Sequence, residues 1–145
     1  MNYNEIEVLL VEDNMHDAEL TIRSLKKVNL ASKLFHVKDG AEALDFVYAR
    51  GDYATRRADN WPKLIILDIK MPKVDGIEVL RQLKSNELTK TIPVVIMTSS
   101  KEEQDIVTSY NLGVNSYVVK PVNFADFAKA VAELGLYWLI INQPL

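Results

Sequence analysis

Residues 64–76 read LIILDIKMPKVDG, a short apolar run that ends in an acidic residue, and this stretch decides the fold. The run Leu64–Leu67 is nearly continuous and rich in β-branched side chains, which is typical of a strand buried on both faces. Four similar runs occur elsewhere in the chain, at Ile6–Val11, Leu34–Val37, Val94–Met97 and Tyr117–Val119. Segments of helical periodicity separate them, at roughly 15–29, 40–51, 75–86, 101–112 and 123–141.

The alternation of five strands with five helices predicts an α/β domain. Its expected architecture is (βα)5, a doubly wound parallel five-stranded sheet with helices on both faces. These units account for the 145 residues, so we expect one domain over 1–145, with an apolar extension of the last helix over about 134–145. The polar connection Arg50–Trp61 is interpreted as a surface loop.

Composition excludes several classes of protein. The net charge is −3, so no basic excess indicates nucleic-acid binding. The absence of Cys excludes disulfides and thiolate zinc sites, and two His residues are too few for a multi-histidine metal site. The polar N-terminus is unlike a signal peptide, and no apolar run reaches the ~18 residues of a membrane span. We therefore expect a cytoplasmic protein that binds neither membrane nor nucleic acid.

Polar side chains follow the predicted strands. Glu12 and Asp13 follow the first, Asp68 ends the third, and the fourth and fifth lead into Thr98 and Lys120. Right-handed crossovers bring the carboxyl ends of all strands to one edge, where ligands bind in such folds. Three carboxylates at that edge repel one another unless a hard cation such as Mg²⁺ neutralises them. The pattern predicts a pocket in which a carboxylate nucleophile, Asp68, accepts a phosphoryl group.

Each of these residues also has a purely structural interpretation. Residues 12–14 can cap the first helix, and Ser99 and Ser100 can cap the fourth. Lys120 can be a solvated surface lysine. The functional interpretation is favoured because four chemically matched sets of side chains coincide at one edge.

The sequence resembles the receiver domain of bacterial two-component response regulators over essentially its whole length. The matching motifs are LLVEDN at 9–14, LIILDIKMPKVDG at 64–76, VVIMTSS at 94–100 and YVVKP at 117–121. The resemblance implies a flavodoxin-like receiver fold and a protein that catalyses only its own phosphorylation and dephosphorylation. A sensor histidine kinase or a phosphotransfer protein would be its partner.

The resemblance also implies roles for individual residues. Asp68 is the phospho-acceptor, and Mg²⁺ is held by Glu12, Asp13, Asp68 and the backbone carbonyl of Lys70. Thr98 and Tyr117 form a conformational switch, while Lys120 contacts the phosphoryl oxygens and the Lys120–Pro121 peptide bond is cis.

A narrower resemblance is to stand-alone regulators paired with bacteriophytochrome kinases. It rests on the loop RGDYATRRADNW at 50–61, on LKSNELTKTIPVV at 83–95 and on the tail YWLIINQPL at 137–145. Two features depart from the group: some members lack a proline where Pro121 stands here, and small polar residues often occupy the position of Lys70.

Three other functions are compatible with parts of the pattern. A flavodoxin-like electron carrier would bind a flavin phosphate in the first strand–helix loop, but that loop is acidic and lacks glycine. A haloacid-dehalogenase-type phosphatase needs a second acid two residues after the nucleophile, where this chain has Lys70. A pure interaction module would not need the acid set.

The last predicted helix carries apolar residues on more than one face. One stripe, expected to dock on the sheet, consists of Phe127, Val131, Leu134, Trp138 and Ile141. Other apolar residues lie off it, at Leu136, Tyr137, Leu139 and Ile140. Such a surface needs a cover, so we expect these four residues to form a homodimer interface. The alternative is that the tail folds back over its own domain.

Overall fold

A computed structural model describes residues 6–26, 33–57, 60–71, 75–114 and 116–136. The strands are β1 (Val8–Val11), β2 (Leu34–Val37), β3 (Leu64–Asp68), β4 (Val94–Thr98) and β5 (Tyr117–Val119). The helices are α1 (Met15–Lys26), α2 (Gly40–Val47), α3 (Gly76–Ser85), α4 (Lys101–Ser109) and α5 (Phe124–Glu133), with a 3-10 turn at Gly51–Tyr53. The predicted alternation of strands and helices is confirmed.

The strands form one parallel sheet in the order β2-β1-β3-β4-β5. The order reverses at β1, so the crevice expected of a doubly wound sheet lies beyond the carboxyl ends of β1 and β3. The registers pair Val11 with Leu67 and Leu67 with Ile96. The residues that follow these positions therefore emerge side by side at one edge of the sheet.

The core has two layers because alternate strand residues point to opposite faces. Leu9, Ile65 and Ile96 belong to the face that packs with residues of α2 and α3. Leu10 and Ile66 belong to the other face, which packs with residues of α1 and α5. Strands buried on both faces explain the continuous apolar runs in the sequence.

Side-chain caps begin four of the helices. The oxygens of Asp39, Asp75, Ser100 and Asn123 each accept a hydrogen bond from the backbone N–H three residues later. At the start of α1, the side-chain oxygen of Asn14 likewise accepts a hydrogen bond from the backbone N–H of Asp17. Helix capping thus occupies Asn14 and Ser100 and leaves Glu12 and Asp13 for another role.

The connection between α2 and β3 is more ordered than a surface loop. Tyr53 is buried and packs its ring against Phe35 and Phe46. The buried Arg56 guanidinium donates hydrogen bonds to the carbonyls of Phe46 and Val47, which are among the last carbonyls of α2. The prediction of a simple surface loop is therefore wrong for these residues, because the loop supplies the C-terminal cap of α2.

Helix α5 ends at Glu133, so the predicted continuation of the helix is wrong for residues 134–136, and residues 137–141 lie outside the described part of the chain. Gly135 has φ +76°, and its N–H donates to the carbonyl of Ala132. The N–H of Leu136 donates to the carbonyl of Val131, which completes a Schellman motif. The left-handed residue turns the chain out of the helix despite the continuing apolar pattern.

The expected dimer surface is only partly described. Leu136 is half-buried and packs against the α1–α5 side of its own core. Tyr137, Leu139 and Ile140 lie outside the described residues. For Leu136 the structure therefore favours the alternative in which the chain covers its own domain.

Candidate functional site

Three carboxylates meet at the carboxyl edge of the sheet. Glu12 follows β1 directly, Asp13 is its neighbour, and Asp68 is the last residue of the adjacent strand β3. One oxygen from each lies within 4.8 Å of the other two. Glu12 has no exposed surface and Asp68 is 3% exposed, whereas Asp13 is exposed. The cluster is therefore open to solvent on the Asp13 side.

The Lys120 ammonium is the positive charge of this cluster. Its Nζ lies 2.8 Å from Oε1 of Glu12 and 3.2 Å from Oδ1 of Asp68. It also lies 3.2 Å from Oδ2 of Asp17 on α1. The ammonium group donates a hydrogen bond to Asp17 and lies at ion-pair distance from Glu12 and Asp68.

Sequence reasoning missed Asp17. It lies one helical turn after Asp13, so the four-residue spacing between the two acids was the available signal. His36 on β2 also supports the site, since its Nε2 lies 2.7 Å from the backbone oxygen of Glu12. This contact fixes the loop that carries the first two acids.

Burial shifts the ionisation of the acids. It raises the pKa of Glu12 to about 7, although Lys120 opposes the shift, and the charge of Asp68 adds to it. Burial also raises the pKa of the Asp68 carboxyl against the effect of Lys120. For Lys120, burial acts to lower the pKa, but its contacts with Glu12 and Asp68 outweigh burial and raise it. Burial thus favours the neutral form of Glu12 and Asp68, and the three carboxyl groups outnumber the one ammonium group that contacts them.

These residues fit a divalent cation. Hard cations prefer carboxylate oxygens and retain several waters, and the exposed side of the cluster leaves room for water. The Thr98 hydroxyl supports the idea of an absent ligand, because its Oγ1 is fully buried and has no hydrogen-bond partner. Buried hydroxyls without partners are uncommon in native proteins and call for an explanation.

Thr98 and Tyr117 lie on the same face of neighbouring strands. Ile96 pairs with Tyr117, and Thr98 lies two residues beyond Ile96 on β4. The Tyr117 ring is half-buried, and its hydroxyl contacts Thr108 Oγ1 and the Val114 carbonyl, each at 3.1 Å. The backbone N–H of Lys120 donates to the Thr98 carbonyl at 2.9 Å. The predicted switch pair is thus connected to both α4 and Lys120.

The remaining expected residues lie around the same edge. The Lys120–Pro121 peptide bond is cis. Lys70 lies two residues after Asp68, and its ammonium pairs with Glu103 on α4 at 3.1 Å. A cavity of about 530 Å³ adjoins the cluster, with Asp13, Lys70, Met71, Asp75, Glu103 and Ile106 among its lining residues.

Comparison with known families agrees with this geometry. Residues 8–132 match the family described as the response regulator receiver domain. The chain belongs to this family. The matched segment contains strands β1–β5 and helices α1–α5, except for Glu133, the last residue of α5.

The similar proteins include regulators of phytochrome signalling. The structure of the bacteriophytochrome response regulator AtBRR is 48% identical with a TM-score of 0.88, covering 96% of this chain and 99% of that chain. The response regulator Rcp1 of Synechocystis sp. (strain ATCC 27184 / PCC 6803 / Kazusa) is 39% identical over 132 residues, covering 91% of this chain and 88% of Rcp1. Its Mn²⁺-bound structure has a TM-score of 0.71 at 38% identity, covering 95% of this chain and 98% of that chain.

A relative outside that group shows a similar level of identity. The probable methanogenesis regulatory protein FilR2 of Methanothrix harundinacea (strain 6Ac) is 39% identical over 136 residues. The match covers 94% of this chain and 85% of FilR2. Separately, none of the helices in the described part of the chain is long and apolar enough to cross a membrane.

Proposed function

We propose that the receiver domain acts as a stand-alone response regulator in which Asp68 accepts a phosphoryl group from a sensor histidine kinase or a phosphotransfer protein. The observation that carries this proposal is the environment of the Asp68 carboxylate. It is buried, lies within 4.8 Å of two other carboxylates, and has the Lys120 ammonium 3.2 Å away. Glu12 shares these features, but it has no exposed surface and its Oε2 accepts a hydrogen bond from the Asn14 N–H, whereas 3% of Asp68 remains exposed.

The transfer step uses the Asp68 carboxylate as nucleophile. One of its oxygens forms a bond to phosphorus while the N–P bond of a donor phosphohistidine breaks. The electron pair of that bond returns to the imidazole, which takes up a proton. Lys120 then donates to a phosphoryl oxygen in place of the Asp68 oxygen, which stabilises the charge on the transferred group.

Mg²⁺ is the cofactor that we propose for this step. Glu12, Asp13 and Asp68 would hold it, with the backbone carbonyl of Lys70 as a further ligand. When bound, the ion supplies positive charge next to the phosphoryl oxygens. The Mn²⁺-bound form of Rcp1 supports a divalent cation in a receiver domain of this type.

Thr98 and Tyr117 are proposed to transmit the phosphorylated state. The unpartnered Thr98 hydroxyl is available to donate to a phosphoryl oxygen. Movement of Thr98 would change the space beside Tyr117, whose hydroxyl contacts α4. Output would then come from the surface formed by residues 101–121. The domain would catalyse only its own phosphorylation and slow dephosphorylation, because Lys70 replaces the general acid of phosphatases that use an aspartyl nucleophile.

A bacteriophytochrome kinase is the partner that the relatives favour. AtBRR is a bacteriophytochrome response regulator and shares 48% identity with this chain over nearly its whole length. We propose the cytoplasm as the compartment, because histidine kinases draw on cytoplasmic ATP. Phosphotransfer assays that compare a bacteriophytochrome kinase with unrelated kinases would test this partner.

We also propose that the regulator is a homodimer held partly by Tyr137, Leu139 and Ile140. Light scattering should give the mass of a dimer for the wild type and that of a monomer for the variant carrying Leu139→Asp and Ile140→Asp. A monomeric wild type, or a variant of unchanged mass, would argue for a tail that covers its own domain.

Phosphorylation of Asp68 is tested by intact-mass measurement. With Mg²⁺ and a small phosphodonor, the wild type should gain one acid-stable, base-labile phosphoryl group, and Asp68→Asn should gain none. Asp52→Asn, an exposed substitution of the same kind, is the matched control and should label like the wild type. Equal labelling of Asp68→Asn would disprove the assignment.

A further inference from the structure

A buried carboxylate on α4 joins the loop after β3 to the loop after β4. Oε2 of Glu103 lies 3.1 Å from Lys70 Nζ and accepts a hydrogen bond from the Ser99 hydroxyl at 2.6 Å. Oε1 accepts a hydrogen bond from the Ser99 backbone N–H at 3.1 Å. The Glu103 side chain is 8% exposed and the Lys70 side chain is 77% exposed. A buried, hydrogen-bonded carboxylate therefore holds an exposed ammonium group.

Glu103 is held in its charged form. Burial acts to raise its pKa, but hydrogen bonds from Ser99 and the contact with Lys70 outweigh burial and lower the pKa of the Glu103 carboxyl. Glu103 also lies in the first turn of α4, where the helix dipole favours a negative charge.

The position of Lys70 gives this ion pair a consequence for the acid cluster. Lys70 lies two residues after Asp68, and its side chain borders the same cavity as Asp13 and Glu103. Lysine carries a compact charge on a flexible four-carbon stem. Without Glu103, the ammonium group is free to turn across the cavity towards the exposed Asp13 carboxylate.

We propose that Glu103 is a positioning residue that holds the Lys70 ammonium group away from the acid cluster and so keeps Asp13 available to a divalent cation. This role rests on the proposed metal site. It assigns a function to a carboxylate that neither contacts Asp68 nor belongs to the acid cluster. It also explains how a lysine is tolerated two residues after Asp68.

The test is Mg²⁺ binding to unphosphorylated protein, measured by titration calorimetry. In E103Q the released Lys70 should weaken Mg²⁺ affinity by about three- to fivefold at low salt. The double variant K70M/E103Q should regain wild-type affinity, because the competing ammonium group is gone. K70M alone is the reference for the double variant, so adding E103Q to K70M should leave the Mg²⁺ affinity of K70M unchanged.

D105N is the matched control for the loss of one negative charge from α4. Asp105 is exposed and pairs with Lys101 at 3.4 Å. D105N should bind Mg²⁺ like the wild type, since its ion pair involves no residue of the cavity. S99A keeps both charges and removes one anchor of Glu103. It should weaken binding in the same direction as E103Q by a smaller factor, and it serves as the test if E103Q does not fold.

The outcomes separate this role from the proposed function. If the wild type binds Mg²⁺ and E103Q or S99A binds it equally well, Glu103 has no positioning role. An E103Q defect that persists in K70M/E103Q, or that D105N shares, also overturns the role, because the effect is then not carried by Lys70. A wild type that binds no Mg²⁺ overturns the proposed metal site and this role together.

Discussion

A Cβ atom at position 76 would lie 2.3 Å from the backbone carbonyl oxygen of Asp68, which is closer than atoms can approach. Gly76 is the first residue of α3, and its N–H donates to the carbonyl of Ile69 at 3.0 Å. Glycine is required here because the helix packs directly on the backbone at the end of β3. This contact fixes the strand end that carries the proposed phospho-acceptor.

Gly76→Ala should therefore disturb the site as well as the fold. The methyl group must displace the backbone of Asp68, so we expect a loss of about 1–3 kcal/mol in the free energy of unfolding and weaker Mg²⁺ binding. Gly113→Ala is the control, because its φ of +81° gives strain while no atom lies within 4 Å of the added Cβ. Gly113→Ala should lose stability in urea without losing Mg²⁺ affinity. Unchanged metal binding in Gly76→Ala would contradict this account.

Glu12 should make the free energy of unfolding of the metal-free protein depend on pH. Its pKa is raised from 4.5 to about 7 in the fold, so the folded state binds this proton more tightly than the unfolded chain does. The contribution to stability is complete below about pH 4.5 and is lost as the pH rises through 7, with a size of about 3 kcal/mol.

Thermal unfolding with chelator between pH 5 and 8 would measure this contribution. Glu12→Gln should be more stable relative to the wild type at pH 8 than at pH 5, because the amide cannot ionise. The exposed Glu102→Gln should show no such trend. Parallel pH profiles for Glu12→Gln and the wild type would mean that Glu12 does not retain a proton in the fold.

Asp13→Ala should lose Mg²⁺ affinity and gain stability without metal. The exposed carboxylate is the accessible member of the cluster, and its removal relieves repulsion worth about 0.5 kcal/mol. Asn14→Ala separates this effect from helix capping, since Asn14 caps α1 and its loss should cost about 1 kcal/mol. Melting curves with and without Mg²⁺ would show both effects. A destabilised metal-free Asp13→Ala would refute the repulsion argument.

Thr98→Ala should separate phosphorylation from its conformational effect. The variant should still accept a phosphoryl group, but hydrogen exchange over residues 101–121 should respond less to a phosphoryl mimic. Its free energy of unfolding should not fall by the contribution of a hydrogen bond, because the Thr98 hydroxyl has no partner. Thr89 is also fully buried but contacts Leu83 and Tyr48, so Thr89→Ala should cost about 1–2 kcal/mol. A full response in Thr98→Ala would assign the switch to another group.

Arg56→Met should destabilise the domain through α2. The substitution leaves the Phe46 and Val47 carbonyls without the guanidinium that caps them, at a cost of about 3 kcal/mol. Arg23 is exposed on α1, and Arg23→Met should change the free energy of unfolding in urea by less than about 0.5 kcal/mol. Similar values for the two variants would show that the buried guanidinium is not needed.

The strands, and the sheet edge at which their carboxyl ends meet, could be predicted because both follow from local sequence patterns and from a general rule of chain connection. Buried β-branched runs identify strands such as Leu64–Asp68, and the handedness of the crossovers brings their ends together. The end of α5 could not be predicted from periodicity. The apolar spacing continues through Leu134 and beyond, and the helix stops because Gly135 adopts a left-handed conformation.

The features that were missed depend on tertiary partners. A charged residue such as Arg56 is buried only because the carbonyls of another element accept its hydrogen bonds. Asp17 joins the site only because Lys120, 103 residues later, reaches it at 3.2 Å. Neither partner can be identified from the neighbouring sequence.

The contact of Lys120 with Glu12 and Asp68 has a consequence for biosynthesis. The three residues come from the beginning, the middle and the last third of the chain, and β3 separates β1 from β4 and β5 in the sheet. A nascent chain that has not yet docked β5 has the proposed phospho-acceptor but lacks the ammonium group. If Lys120 supports phosphoryl transfer as proposed, competence to accept the phosphoryl group arises only after β5 has docked, and an incompletely folded chain does not compete for the donor.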